Sequence, residues 1–103
     1  MRILVLDVPK EGVTFNDYLP HLEAETRQAW AGVKSDVVRE IYFRQDRPGV
    51  VIILEADSVD AAREVMSQMP LKKAGLLDFE YIPFANYTFW ENLFAPEHKE
   101  GGK

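Results

Sequence analysis

An α+β domain with the element order β-α-β-β-α-β is predicted by three observations. Four short segments, RILVLDV, VVREIYFR, VVIILEA and a last one within LLDFEYIPF, are rich in branched and aromatic residues of strand type. Two longer stretches between them repeat apolar residues at helical spacing. Only QDRPG separates the middle two strands, a turn by composition that makes them a hairpin.

The first strand covers residues 2–8 and is closed by Pro9 and Gly12. Arg2, Leu4, Leu6 and Val8 share one face, Ile3, Val5 and Asp7 the other. Residues 14–33 are expected to be helical, with Thr14 or Asp17 as cap and Pro20 tolerable only near the start. Phe15, Leu19, Leu22, Trp30 and Val33 are the expected core stripe, and Gly32 marks the end. In the second strand, 37–44, Val37, Arg39, Ile41 and Phe43 alternate with Val38, Glu40, Tyr42 and Arg44. The third, 50–56, is the most hydrophobic and is placed centrally. Asp57 or Ser58 caps a second helix, whose apolar face is Ala61 or Ala62, Val65, Met66 and Met69. Pro70 is expected to stop that helix. A connection through Gly75 then leads to the last strand, about Leu77 to Phe84.

This order is the split βαβ arrangement called ferredoxin-like: a four-stranded antiparallel sheet with two helices on one face. In the last strand Phe79, Tyr81 and Pro83 point one way, and Ile82 and Phe84 share the other with Asp78 and Glu80. Apolar residues on both faces leave the face away from the helices in need of a cover, most simply the same face of a second copy.

At 103 residues there is room for one domain. The expected division is a domain over 1–96, including an aromatic C-terminal arm at 85–96, and a disordered tail at 97–103. Six of the twelve aromatics fall between Tyr81 and Phe94. Such an arm either packs on a partner subunit, or Trp90 or Phe94 closes a ligand pocket.

The net charge of −5 is evenly spread, with no basic stripe, so no nucleic-acid partner is expected. The absence of cysteine excludes disulfides and thiolate chemistry. The longest apolar run, Val50 to Leu54, is far too short to span a membrane. The first residues lack the apolar core and cleavage site of a signal peptide, so the expected location is the cytoplasm.

The stretch EADSVDAAREVMSQMPLKKAGLLDFEYIPF resembles muconolactone isomerases and the wider set of small dimeric α+β-barrel proteins. The shared features are Glu55, Asp57 and Ser58 before the helix, the exit Gln68 to Leu71, and Asp78 to Glu80 on the following strand. Arg39 and Tyr42 in VREIYFR are a weaker echo. The likeness covers the C-terminal half, and the N-terminal half in topology only. It implies a dimeric α+β barrel with a pocket in each subunit. Relatives of this kind include isomerases, cofactor-independent monooxygenases, haem-degrading enzymes and proteins without known activity, so the resemblance does not choose the chemistry.

An isomerase of this type moves a proton between two carbons of an unsaturated lactone bearing a carboxylate. That needs a tuned base, a cation, and a donor for the developing enolate. His21, placed with Tyr18, Glu25 and Gln28 beside the core stripe, is either a proton carrier or a helix-surface histidine. Glu55 and Glu80 have apolar neighbours, and burial that raises a carboxyl pKa would make either one a proton shuttle; the alternative is pairing with strand arginines. Arg39, among apolar neighbours, holds a ligand carboxylate or an internal partner. On an ideal strand Arg39 and Tyr42 face opposite ways, and only a bulge would bring them together. Lys72 and Lys73 read as solvated.

The expectation is a cytoplasmic homodimer, or an assembly of dimers, acting without cofactor or metal on a small anionic, unsaturated or aromatic metabolite. His21 and Glu55 are the expected catalytic pair, with Arg39, Trp30, Tyr42 and Tyr81 around the substrate. A non-catalytic small-molecule-binding protein and a cofactor-free monooxygenase are the alternatives. His21 and His98 are too far apart to form a metal motif, and no glycine-rich phosphate loop occurs.

Overall fold

The computed structural model describes residues 1–94. The tail from 97 onwards, with His98 and the end of the arm, lies outside the described residues.

Four strands form one antiparallel sheet: β1 (Arg2–Pro9), β2 (Val38–Phe43), β3 (Val50–Glu55) and β4 (Leu77–Phe84), in the order β2-β3-β1-β4. The ferredoxin-like order is therefore present, with the first strand central. Alternation along β1 decides which face meets the helices. Ile3 and Val5 are fully buried with Ile52, Leu54, Leu77 and Phe79, and Ala62, Met66, Met69 and Leu71 pack over them. On the opposite face the register places Leu4 between Ile53 and Ile82, and Leu6 between Val51 and Glu80. These residues are only partly covered or exposed, and no element of the described chain forms a second layer on them.

The first helical segment is broken where the sequence predicts one continuous helix. It runs as α1 (Phe15–Tyr18), a 3-10 turn (Leu19–His21) and α2 (Leu22–Lys34). Pro20 explains the break, because it has no N–H for a continuing α-helical ladder. The Asp17 carboxylate accepts hydrogen bonds from the Thr14 backbone N–H (2.7 Å) and hydroxyl (3.2 Å), so Thr14 caps α1 and Asp17 closes the turn back onto it. The helix is also turned relative to the expected stripe. Tyr18, Leu22, Glu25, Ala29 and Val33 face inward, while Phe15, Leu19 and Trp30 stand in solvent, Trp30 at 60 % exposure.

Of the two cap candidates for α3 (Val59–Met66), Ser58 does the work: its hydroxyl accepts the Ala61 N–H at 3.0 Å. Pro70 does not simply stop this helix. Helix α3 ends at Met66, and Pro70 opens a further single turn, α4 (Pro70–Lys73), at the first position, where a missing N–H costs nothing. Gly75, at φ +76°, ends α4 in the left-handed conformation.

Strand β2 contains a bulge. Val38 pairs with Leu54 and Glu40 with Ile53, leaving Arg39 as the extra residue. Glu40 and Tyr42 consequently share the open face, while Ile41 and Phe43 take the helix side. At the other edge, β4 carries Pro83, opposite Ile3.

One charged residue enters the core. Asp7, 3 % exposed, lies on the same face of β1 as Ile3 and Val5. Its carboxylate accepts the Val50 N–H (3.0 Å) and an Arg47 Nη1 hydrogen (3.0 Å), and its carbonyl accepts Arg47 Nη2 (2.7 Å). The hairpin loop is thereby pinned to the end of the central strand. Gly49 is required by this closeness: a Cβ there would sit 2.5 Å from Asp7 Oδ1 and 2.6 Å from Arg47 Nη1. Breaking such a pair leaves a buried charge uncompensated. Asp7→Asn is expected to cost about 3 kcal/mol in urea unfolding, against about 0.5 kcal/mol or less for Glu23→Gln, which breaks only the exposed pair with Arg27. Equal costs for the two variants would remove Asp7 from its anchoring role.

Candidate functional site

The polar groups of the helix layer converge where α2 meets the segment carrying α4. Because α2 is turned, Glu25 enters this junction and its Oε1 accepts the Leu71 N–H at 2.9 Å. That donor is one of the free amides at the start of α4, so the carboxylate serves as its cap from another helix. Burial pushes the Glu25 pKa above its ordinary value, opposed by the Leu71 hydrogen bond and by the charge of His21.

His21, the last residue of the 3-10 turn, stands at the mouth of this junction. It lines a cleft of about 590 Å³, open to solvent, together with Arg27, Gln28, Gln68 and Lys73, over Pro70 and two alanines. Neither the His21 ring nor the Lys73 ammonium has a side-chain partner among the described residues. A second cleft, of about 430 Å³, adjoins the first through Arg27 and is lined by Trp30, Ala31, Lys34 and Ser35. The volumes suit a small molecule. Lys73 and Lys34 make the pair of clefts cationic, the charge of Arg27 being met by its ion pair with Glu23, which suits an anion.

Deeper in, Tyr18 lies within electrostatic reach of Asp7, Arg47 and Glu25. Burial first, and then Asp7, raise its phenol pKa, with Arg47 opposing. His21, Glu25, Tyr18, Asp7 and Arg47 thus form a row of polar groups within electrostatic reach of one another, not joined by a continuous chain of hydrogen bonds among the described residues.

The six residues singled out in the sequence do not meet in one place. His21 and Trp30 border the two adjoining clefts. Tyr81 is on the helix side of β4, half-buried, with the Arg63 guanidinium 4.7 Å from its ring centre. Glu55 and Tyr42 belong to the open face, across the sheet from His21. Of the two readings of Glu55, a carboxyl raised by burial or one paired with a cation, the structure has the second: an ion pair of 2.6 Å with the Met1 amino group lowers its pKa, with Arg39 and Arg2 adding to the effect. Among the described residues Arg39 has no carboxylate hydrogen bond; its Nε donates to the Asp36 carbonyl at 2.7 Å. The Tyr42 hydroxyl is held by Glu40. Arg44 pairs with Asp46 at 2.6 Å, and Lys72 pairs with Asp78 at 3.1 Å instead of remaining solvated.

Four residues of the row were missed: Asp7, Tyr18, Glu25 and Arg47. A signal for two of them was present. Asp7 shares its strand face with Ile3 and Val5, and Glu25 completes the helical ladder from Tyr18 and Leu22 to Ala29.

Comparison with known proteins adds the fold. No family model and no curated protein matches the chain. Among solved structures it is similar to 5-chloro-2-hydroxyhydroquinone dehydrochlorinase (TftG) from Burkholderia phenoliruptrix AC1100, in complex with 2,5-dihydroxybenzoquinone. The TM-score is 0.68 at 17 % identity, over 86 % of this chain and 98 % of that chain. The shared fold is the ferredoxin-like one. Among the described residues, no group of three or more His, Asp or Glu is placed to hold a metal ion, and no helix is long and apolar enough to cross a membrane.

The sign of the Glu25 shift gives a stability test. A carboxyl whose folded pKa is raised contributes stability below the ordinary glutamate value and loses it as pH climbs through the raised one. Glu25→Gln keeps an acceptor for Leu71 and cannot ionise, so it is expected to raise Tm at pH 7 relative to wild type more than at pH 4. A shift of the same size at both pH values, read by thermal melting, would contradict burial as the cause.

Proposed function

We propose that this protein is a cofactor-independent enzyme that moves a proton on a small anionic ring metabolite, unsaturated or aromatic, in the manner of a muconolactone isomerase. The single observation carrying this is the unpartnered His21 imidazole at a cationic cleft, backed by the half-buried Glu25 carboxyl. A neutral imidazole takes the proton from a ring C–H, and the bonding electrons pass to the conjugated carbonyl oxygen as an enolate. The proton is then returned to a second carbon of the same system, so that atoms and charge balance. Lys73 holds the substrate's carboxylate or phenolate, and Glu25 stabilises the imidazolium formed in between.

The polar lining favours this over a purely non-catalytic binding protein, whose pocket would be walled by aromatic and methionine side chains. Fold likeness to a dehydrochlorinase seen with a hydroxylated quinone supports the choice of ring substrates. Eliminating hydrogen chloride from such a ring also needs a base for the proton. In this reading Glu25 takes the place of Glu55, and Lys73 that of Arg39. The working unit is a homodimer formed through the open sheet face, where Leu4, Leu6, Val51, Ile53 and Ile82 give an apolar centre.

The test is a thermal-shift screen of lactone carboxylates, ring acids and hydroxyquinones, followed by turnover of each hit. A ligand of the native state raises the midpoint by mass action. Loss of the proton carrier in His21→Ala should lower kcat by about 10²- to 10⁴-fold, while Lys73→Ala should mainly raise KM. Full activity in both His21→Ala and Glu25→Gln would refute the assignment. Substrate-dependent oxygen uptake would instead favour the monooxygenase alternative.

A further inference from the structure

The chain does not end with its sheet. Beyond Phe84 it continues into an arm whose 3-10 helix spans Thr88–Leu93. The described chain measures 61 × 29 × 21 Å. An eight-residue strand is about 26 Å long and a 13-residue helix about 20 Å, so the long dimension comes from the arm. Along it Tyr87, Phe89, Trp90, Leu93 and Phe94 are 56–81 % exposed. They are nevertheless ordered against each other: the Tyr87 ring meets Phe89 edge-on at 5.5 Å and Trp90 at 5.0 Å. Glu91 is the one charge between 85 and 94. No arm residue lines either cleft, so the arm does not close the site of its own chain.

We propose that this arm is a clasp that grips a second copy of the chain and extends the interface that the open sheet face begins. The proposal rests on the dimer reading given above. The open face offers Leu4, Leu6, Val51, Ile53 and Ile82, with Glu80 among them. A stable interface needs about 800 Å² per partner. A fully buried aromatic side chain brings about 150–250 Å², so the exposed parts of three from the arm supply roughly half of that. The occupant is a second copy because both surfaces lie on one chain: a two-fold pairing gives each open face an identical face and each arm an identical flank. The low charge of the arm matches the core of such an interface. The preformed ring cluster limits the entropy lost on docking.

Sedimentation of the full chain is compared with the full-length triple variant Phe89→Ser, Trp90→Ser, Phe94→Ser, with circular dichroism as the fold control. These side chains are exposed in the single chain, so the variant should keep its fold. Wild type is expected as a dimer at micromolar concentration, and the variant's dimer Kd should rise by about a hundredfold or more. In a Trp30→Phe background Trp90 is the sole tryptophan, and its emission should shift to the red on dilution through the Kd. A variant dimer as tight as wild type overturns the clasp and leaves the dimer reading standing. A wild type that sediments only at 11.8 kDa overturns that reading, and the clasp with it.

Discussion

The buried carboxylate of Asp7 is the contact on which the rest of the structure hangs. It sits at the end of the central strand, inside the layer where every neighbour on that strand face is apolar, and a charge there survives only if it is fully bound. Arg47 and the Val50 amide supply that binding from a loop 40 and 43 residues further along. One interaction therefore joins the strand that orders the sheet to the hairpin that fills its other half. Tyr18, the last residue of α1, lies within electrostatic reach of the same carboxylate, so the first helical segment comes close to the anchor.

From that anchor the geometry of the cleft follows. Proline at position 20 forces a tight turn between α1 and α2, and the turn sets the rotation of α2. With that rotation a glutamate lies where a leucine would pack better, and α2 has no fully buried residue at all. The helix is instead joined to the α4 turn by a carboxylate cap. Stability is lower than an apolar junction would give, and a titratable pair is left beside an open, cationic hollow. A fold concerned only with packing has no reason to keep that arrangement.

Much of this was legible in the sequence. The strand ends, the hairpin, the Ser58 cap and the strand order follow from local rules of composition and turn chemistry. The bulge at Arg39 was visible as the condition under which Tyr42 and Arg39 share a side. Glu25 was hidden because the stripe was traced from Leu22 through Trp30 to Val33, whereas between those shared ends the inward face runs one residue earlier, through Glu25 and Ala29. Asp7 was read as a strand residue without a partner, since its partner is a loop arginine whose position depends on tertiary structure. Pro70 was read as a stop for the same reason that it makes a good start: both follow from its missing N–H.

The two edges of the sheet carry a consequence of their own. An exposed strand edge is a template on which another chain can pair without limit. Here one edge strand, β2, is kinked by its bulge, and the other, β4, is interrupted by Pro83. Ribbon-like growth from molecule to molecule is discouraged at both ends, although the interior strands are as hydrophobic as those of many fibre-forming peptides. A chain whose greasy sheet face is bare until it finds its partner is thus kept from adding further chains strand by strand at either edge.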